Sequence, residues 1–285
     1  MAKFGQVKLA GVKLAGESLL GYDYSMFQWW KTRQRQQLLA KPFPPAYREI
    51  MAQNVGYVRF LSDDERRRLE DLVVVFLAEK ELEGCGGLEL TDEVRVTIAA
   101  NACVLLLGLD HDMYRQVQSV LVYPSTVRPP ERQTSVFAVA TKAREPVHPL
   151  LGEAHIGGPV IVVWDAARRG SRHPQSGHNV VFHEFAHKLD MLDGQIDGTP
   201  PLRGSAELKR WAEVCSRAFL ELREKAARGE ATFMDAYGAH SEAEFFAVAT
   251  ETFFEQPTRL APDLYDVLCS FYHQDPAARI ASVTT

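Results

Sequence analysis

The residues best suited to chemistry are His183-Glu184-Phe185-Ala186-His187. On a helix, positions four apart differ by about 40° around the axis, so both imidazoles face one way and can grip one cation. Neutral imidazole is a good zinc ligand. In this HExxH spacing Glu184 is the expected general base, because it sits beside the first ligand and reaches a water held there. Val180, Val181, Phe182, Phe185, Ala186 and Leu189 embed the pentad in apolar residues. Histidines turned into such an interior need polar partners, and a hydrogen-bonded core pair is the alternative to a metal site.

A catalytic zinc usually takes three protein ligands and leaves one position for water. After His187 the chain reads Lys188-Leu189-Asp190-Met191-Leu192-Asp193, so the third histidine of HExxHxxGxxH is absent and a metzincin is disfavoured. A glutamate on a later helix is the other common solution. In Ser241–Glu251, Glu244 and Glu251 stand seven apart and share one helix face, while Glu242 points roughly the opposite way. Glu244 is either a ligand or the partner of Ser241 in a capping box. Glu251 suits a role behind the ligands or a structural pair. Asp190, seven positions after His183, can orient a ligand imidazole or stand as an exposed or capping carboxylate. His173 and His178 read as surface or loop residues, and His155 and His240 are no better supported as ligands.

These groups need elements to hold them. Ser62 with Glu65 resembles a capping box opening a helix to about Leu82, with an apolar stripe of Leu69, Leu72, Val73, Phe76 and Leu77. Ala46–Asn54, Thr91 to about Gly108, Asn179–Leu192, Ala206 to about Arg228, Ser241 to about Glu255 and Pro262–His273, taken as the last, also read as helices. Ser119–Tyr123, Val136–Thr141 and the β-branched run 160–165 read as strands. Val160, Ile161 and Val162 are candidates for an edge strand beside an extended substrate, or else form a plain core strand. The expected class is α+β, mostly helical, with a small mixed sheet. Residues 1–40 read as a basic and aromatic arm containing Trp29, Trp30, Lys31, Arg33 and Arg35, with VKLAG repeated at 7–11 and 12–16. Residues 41–125 then form a helical part and 126–285 a catalytic part, together one compact unit.

Composition narrows the partners. The 285 residues suffice for a substantial core. A formal net charge of −5 disfavours nucleic-acid binding through the surface as a whole. Cys85, Cys103, Cys215 and Cys269 are scattered, which argues against disulfides and thiolate zinc sites and for a reducing compartment. Lysines interrupt any N-terminal signal core, and Ala99–Leu109 is too short to cross a bilayer. The expected location is cytoplasmic, with no membrane span.

HEFAHKLD at 183–190, Tyr237 and EAEFFAVATETFF at 242–254 closely resemble the Mlc titration factor A family of bacterial zinc peptidases. ELTDEVRVTIAANACVLLLG at 89–108, SVLVYPS at 119–125 and QDPAAR near the C-terminus fit the same family, so the resemblance spans roughly 40–280. It does not clearly reach the VKLAG arm. The resemblance implies a zincin-like fold and a gluzincin related to the catalytic domain of anthrax lethal factor. It implies one zinc ion per chain, with Glu244 as third ligand and Tyr237 near the metal. It also implies peptidase activity on short substrates, with aminopeptidase-like cleavage, and binding to the glucose-responsive repressor Mlc. The expected mechanism has His183, His187 and Glu244 holding zinc, Glu184 moving the proton and the Tyr237 hydroxyl steadying the oxyanion. Two alternatives are a regulatory protein that sequesters a transcription factor and an inactive structural zinc fold.

Overall fold

The computed structural model describes residues 30–125, 152–154 and 158–284. The VKLAG repeats, Trp29, His155 and the expected strand Val136–Thr141 lie outside the described residues. The chain divides into units Met1–Pro42 and Phe43–Thr285. In the first, residues 30–39 form helix α1, with Trp30 exposed.

The second unit opens with α2 (Pro45–Asn54), whose leading proline has no N–H to lose in the first turn. Helix α3 (Asp63–Glu79) starts from a complete capping box: the Ser62 hydroxyl accepts from the Glu65 N–H, and the Glu65 carboxylate accepts from the Ser62 N–H. Asp63, Asp64 and Glu65 add negative charge where the helix dipole favours it. Leu69, Leu72, Val73 and Phe76 are buried, as their spacing predicts.

That helix stops three residues short of the expected Leu82. Residues Glu81–Gly84 instead form β1. Glu81 and Leu82 have ordinary helix propensity, but Leu82 is buried and Glu81 exposed, and the Glu81 N–H bonds to the Gln118 carbonyl. Tertiary pairing overrides propensity over so short a segment.

Helix α4 (Asp92–Val104) is capped by the Thr91 hydroxyl and buried on nearly all sides. Strands β2 (Ser119–Tyr123), β3 (Gly152–Ala154) and β4 (Val160–Val163) complete a mixed sheet in the order β1-β2-β4-β3. The first two pairings are parallel and β3–β4 is antiparallel.

This order corrects the edge-strand expectation for Val160, Ile161 and Val162. Strand β4 bonds to β2 on one side and β3 on the other, so it offers no free edge. Val160 and Val162 are fully buried, as the β-branched run suits a core strand. The strand also ends two residues early, because Trp164 and Asp165 open α5 (Trp164–Arg172).

Five further helices follow: α6 (Val180–Asp190), α7 (Ser205–Ala227), α8 (Glu242–Glu255), α9 (Pro262–Tyr272) and α10 (Pro276–Thr284). Helix α9 is therefore not the last. His273 in the left-handed region ends it. Asp275 then accepts from the Ala278 N–H, and Pro276 starts a new turn. Helices α6 and α8 pack together, and their Phe182, Phe185, Phe246, Phe253 and Phe254 join Tyr57, Tyr114 and Trp211 in the core. None of the four cysteines is bridged, and among the described residues no helix is long and apolar enough to cross a membrane.

Candidate metal centre

Helix α6 is set by its N-terminal residue. The Asn179 side-chain oxygen accepts from the N–H groups of Val181 and Phe182, at 3.2 and 3.3 Å. The buried faces of Phe182, Phe185, Ala186 and Leu189 fix the rotation of the helix about its axis. His183 and His187 then lie one turn apart with ring centroids 4.9 Å apart and Nε2 atoms 3.3 Å apart.

Helix α8 supplies the third group. The Ser241 hydroxyl accepts from the Glu244 N–H at 3.2 Å, so Ser241 is the helix cap. The Glu244 carboxylate does not return that bond. Its Oε2 lies 3.0 Å from His183 Nε2 and 3.5 Å from His187 Nε2. One ligand atom from each of the three residues falls within 4.8 Å of the other two. Two nitrogens and a carboxylate oxygen aimed at one point form a donor set that suits zinc, and packing alone gives no reason for both imidazoles to turn there.

Two turns along α8, Glu251 Oε1 lies 2.8 Å from His183 Nδ1. A carboxylate oxygen accepts, so Nδ1 donates in this contact, and Nε2 is turned to the shared point. The other Glu251 oxygen accepts from the Asn179 N–H at 2.6 Å. Glu251 therefore bridges the His183 ring and the Asn179 backbone rather than forming an isolated ion pair.

Electrostatics separates the carboxyl groups. Burial raises Glu244, but hydrogen bonds from His183 and His187 outweigh it and hold the group at about 2. Burial pushes Glu184 up to about 8, against the pull of His183 and with the push of Glu244 and Glu251. Glu184 is 3% exposed, and its Oε2 has no hydrogen-bond partner among the described residues. A lone buried carboxyl oxygen beside two imidazoles is costly unless it has work to do. His183 is raised well above its ordinary range, since Glu244 and Glu251 outweigh the lowering by burial. His187 is lowered by burial.

Tyr237 sits in the short turn Ala236–Ala239, with its ring 6.1 Å from that of His183 and its hydroxyl bonded to Glu244. Burial raises its pKa. The His240 ring packs 4.9 Å from Tyr237, and its Nδ1 donates to the Tyr237 carbonyl.

The remaining candidates do not converge here. Asp190 is a correction: it bonds to neither imidazole. Its Oδ2 accepts from the Gly198 N–H at 3.1 Å and ties down the loop after α6. Nor is it exposed, being fully buried and pushed up to about 6 by that burial. His173 donates to the Arg169 carbonyl, and exposed His178 lies near Asp235.

Two participants escaped sequence reasoning. Asn179 lies inside the expected helix range without a role assigned to it. Lys188 is buried one turn after Glu184, and its ammonium donates to the Gly158 carbonyl at 2.9 Å. Burial lowers Lys188 to about 8, against the opposing pull of Glu184. The signal available was the position of Lys188, four after Glu184 on a helix that is buried on most sides.

Comparison with known proteins places these residues in company. The family described as glucose-regulated metallo-peptidase M90 matches residues 27–273. An uncharacterized protein of Synechocystis sp. is 35% identical over 263 residues, covering 90% of this chain and 94% of its own length. Mlc titration factor A of Klebsiella pneumoniae is 31% identical over 261 residues, covering 90% and 94%. Mlc titration factor A of Pectobacterium atrosepticum is 34% identical over 231 residues, covering 78% and 84%.

Proposed function

The chain belongs to the glucose-regulated metallo-peptidase M90 family and is similar to Mlc titration factor A over 90% of its own length, and we propose that it is a zinc-dependent peptidase. His183, His187 and Glu244 hold one zinc ion, as in a gluzincin, within a zincin-like fold. The observation that carries this reading is the convergence of the two Nε2 atoms and the Glu244 oxygen beside a buried carboxyl with an unpartnered oxygen.

Zinc, when bound, supplies Lewis acidity and lowers the pKa of bound water from 15.7 towards about 7. Glu184 takes the proton from the attacking water and delivers it to the leaving amine. A carboxyl raised by burial is suited to both transfers near neutral pH, and a cation beside it draws it back towards ionisation. The Tyr237 hydroxyl, already turned to the site, donates to the developing oxyanion. Glu251 keeps the His183 ring in place. An extended peptide pairs with the outer side of β3, which among the described residues carries no strand and lies beside α6. Cleavage from the amino end of short peptides is the mode this reading favours.

A second reading is supported by the name of the relatives: the chain also binds a repressor of the Mlc type, in the cytoplasm. Glu184→Gln separates the two. Lost hydrolysis with kept repressor binding shows that both functions exist independently, whereas unchanged hydrolysis overturns the peptidase mechanism. Metal analysis of Glu244→Ala tests the ligand set, and full zinc occupancy in that variant overturns it.

A further inference from the structure

Behind the site runs a line of buried amides that nothing in the peptidase reading requires. Glu251 is held by Asn179, whose backbone N–H donates to it at 2.6 Å. The Asn179 side chain spends its oxygen on the first turn of α6. Its amide NH2 donates to Asn101 Oδ1 at 3.0 Å. Asn101 lies on α4, far from the site in sequence. Its own NH2 donates to the Thr97 carbonyl and to the Ser171 hydroxyl, both at 2.8 Å. Ser171 in turn donates to the Ala167 carbonyl at 2.6 Å, inside α5. Asn101, Ser171 and Asn179 are each 2% exposed or less.

The bookkeeping of donors and acceptors fixes every direction in this line. The amide of Asn101 gives both protons to α4 and α5, so only its oxygen is turned to Asn179. Asn179 uses its oxygen on the helix cap, so only its NH2 is turned to Asn101. A flip of Asn179 sets its oxygen against Asn101 Oδ1, and a flip of Asn101 sets its NH2 against that of Asn179 and its oxygen against the Thr97 carbonyl, at a cost that holds both in one orientation. The residue so anchored, Asn179, also presents its backbone N–H to Glu251 Oε2, and Glu251 Oε1 meets His183 Nδ1. An apolar residue would fill the space at 101 without setting any of these directions.

We propose that Asn101 is a positioning residue for the metal centre: through Asn179 and Glu251 it fixes the ring of His183. The part of this that concerns zinc affinity rests on the peptidase reading, whereas the orientation of the ring does not. Groups behind a metal ligand commonly change metal affinity by about 10–100-fold when replaced, and Asn101, being further back, belongs near the lower figure.

The test compares Asn101→Leu with Asn54→Leu. Asn54 is 2% exposed and belongs to the same buried polar region, but its amide donates to Glu93 and Thr97 and does not touch Asn179. Three quantities are read for both variants and the native chain. They are the melting temperature, zinc affinity by competition with a chromophoric chelator, and the slowly exchanging Nδ1 proton of His183 in the NMR spectrum of metal-free protein, assigned with His183→Asn. The expected result is a lowered melting temperature in both, with zinc binding weakened roughly tenfold and the His183 Nδ1 proton lost or exchange-broadened only in Asn101→Leu. The same Nδ1 signal in both variants overturns the proposal, as does equal zinc affinity in both when the native chain binds zinc. Should the native chain bind no zinc while the Nδ1 signal still disappears only in Asn101→Leu, the zinc reading falls and the positioning role stands. An Asn101→Leu chain too unstable to study is replaced by Ser171→Ala, which removes one anchor of the same amide and is expected to broaden the same proton.

Discussion

Glu184 and Glu251 lie on neighbouring helices and both touch the environment of His183, and under the proposed function their replacement is expected to separate chemistry from metal binding. Glu184 contacts the reacting water in the proposed mechanism and ligates nothing. Glu184→Gln is therefore expected to keep zinc and lose about 10²–10⁴ in kcat, measured by metal analysis beside a peptide assay. Glu251→Gln is expected to do the reverse in emphasis, weakening zinc by about 10–100-fold because the His183 ring loses its charged partner. Tyr237 is more than a third exposed, so Tyr237→Phe removes a hydroxyl with little effect on packing. Its expected signature is a fall of about 10²–10³ in kcat with an unchanged melting temperature. The motif residues were legible because HExxH is a local pattern: one helix places all three side chains. The contact of Glu251 with His183 was half legible, as a face shared with Glu244, and is seen only in the structure, at 2.8 Å.

At the scale of elements, the short loop after α6 ties three helices together through one glycine. Gly198 donates its N–H to Asp190 on α6 and accepts from the Trp211 indole on α7. It has φ +74, and a Cβ there would collide with the Glu242 carbonyl in the first turn of α8. Gly198→Ala is expected to cost about 2–4 kcal/mol in urea unfolding, from left-handed strain plus displaced backbone. Because that first turn also carries Glu244, zinc affinity should fall with it. Caps and prolines made most helices readable: Ser62 with Glu65, Thr91, Ser241 and Pro262 each stand at or beside an observed start. Strand β1 was unreadable because Glu81 and Leu82 become a strand only by pairing with β2. Helix α10 is legible in Asp275-Pro276, an aspartate cap followed by a proline at the helix start.

For the molecule as a whole, two linkages make stability an observable of the site. Binding to the folded state alone stabilises by about 4 kcal/mol at a ligand concentration a thousand times Kd. Zinc is thus expected to raise the melting temperature by roughly 10 °C, a chelator to reverse this, and Glu244→Ala to show neither effect. The second linkage is pH. Glu255 at the end of α8 accepts from the Gly177 N–H and the Ser176 hydroxyl, in the loop that leads into α6. Burial nevertheless pushes its carboxyl from 4.5 up to about 7. A folded-state pKa above the unfolded one means that the folded chain holds the proton more tightly. The associated stability is fully present below pH 4.5 and is lost as pH rises through 7, a change of about 3 kcal/mol. Glu255→Gln should flatten that part of the curve of unfolding free energy against pH, and an unchanged slope would refute the assignment.

The sequence by itself determined what depends on neighbours along the chain. The α+β character follows from β-branched runs among helical periods and most helix starts from caps and prolines, while the pairing of His183 with His187 on one face and the candidacy of Glu244 follow from spacings of four and seven, which a helix converts directly into geometry. Only the tertiary structure decided what depends on elements meeting. Strand β4 proved to be flanked on both sides, because strand order is set by crossovers and not by the composition of a strand. Asp190 turned to a loop rather than to an imidazole, because a backbone N–H stood within its reach. Asn101, Asn179 and Glu251 lined up behind His183 because three helices bury their polar groups against one another, and buried amides must find partners wherever the fold supplies them.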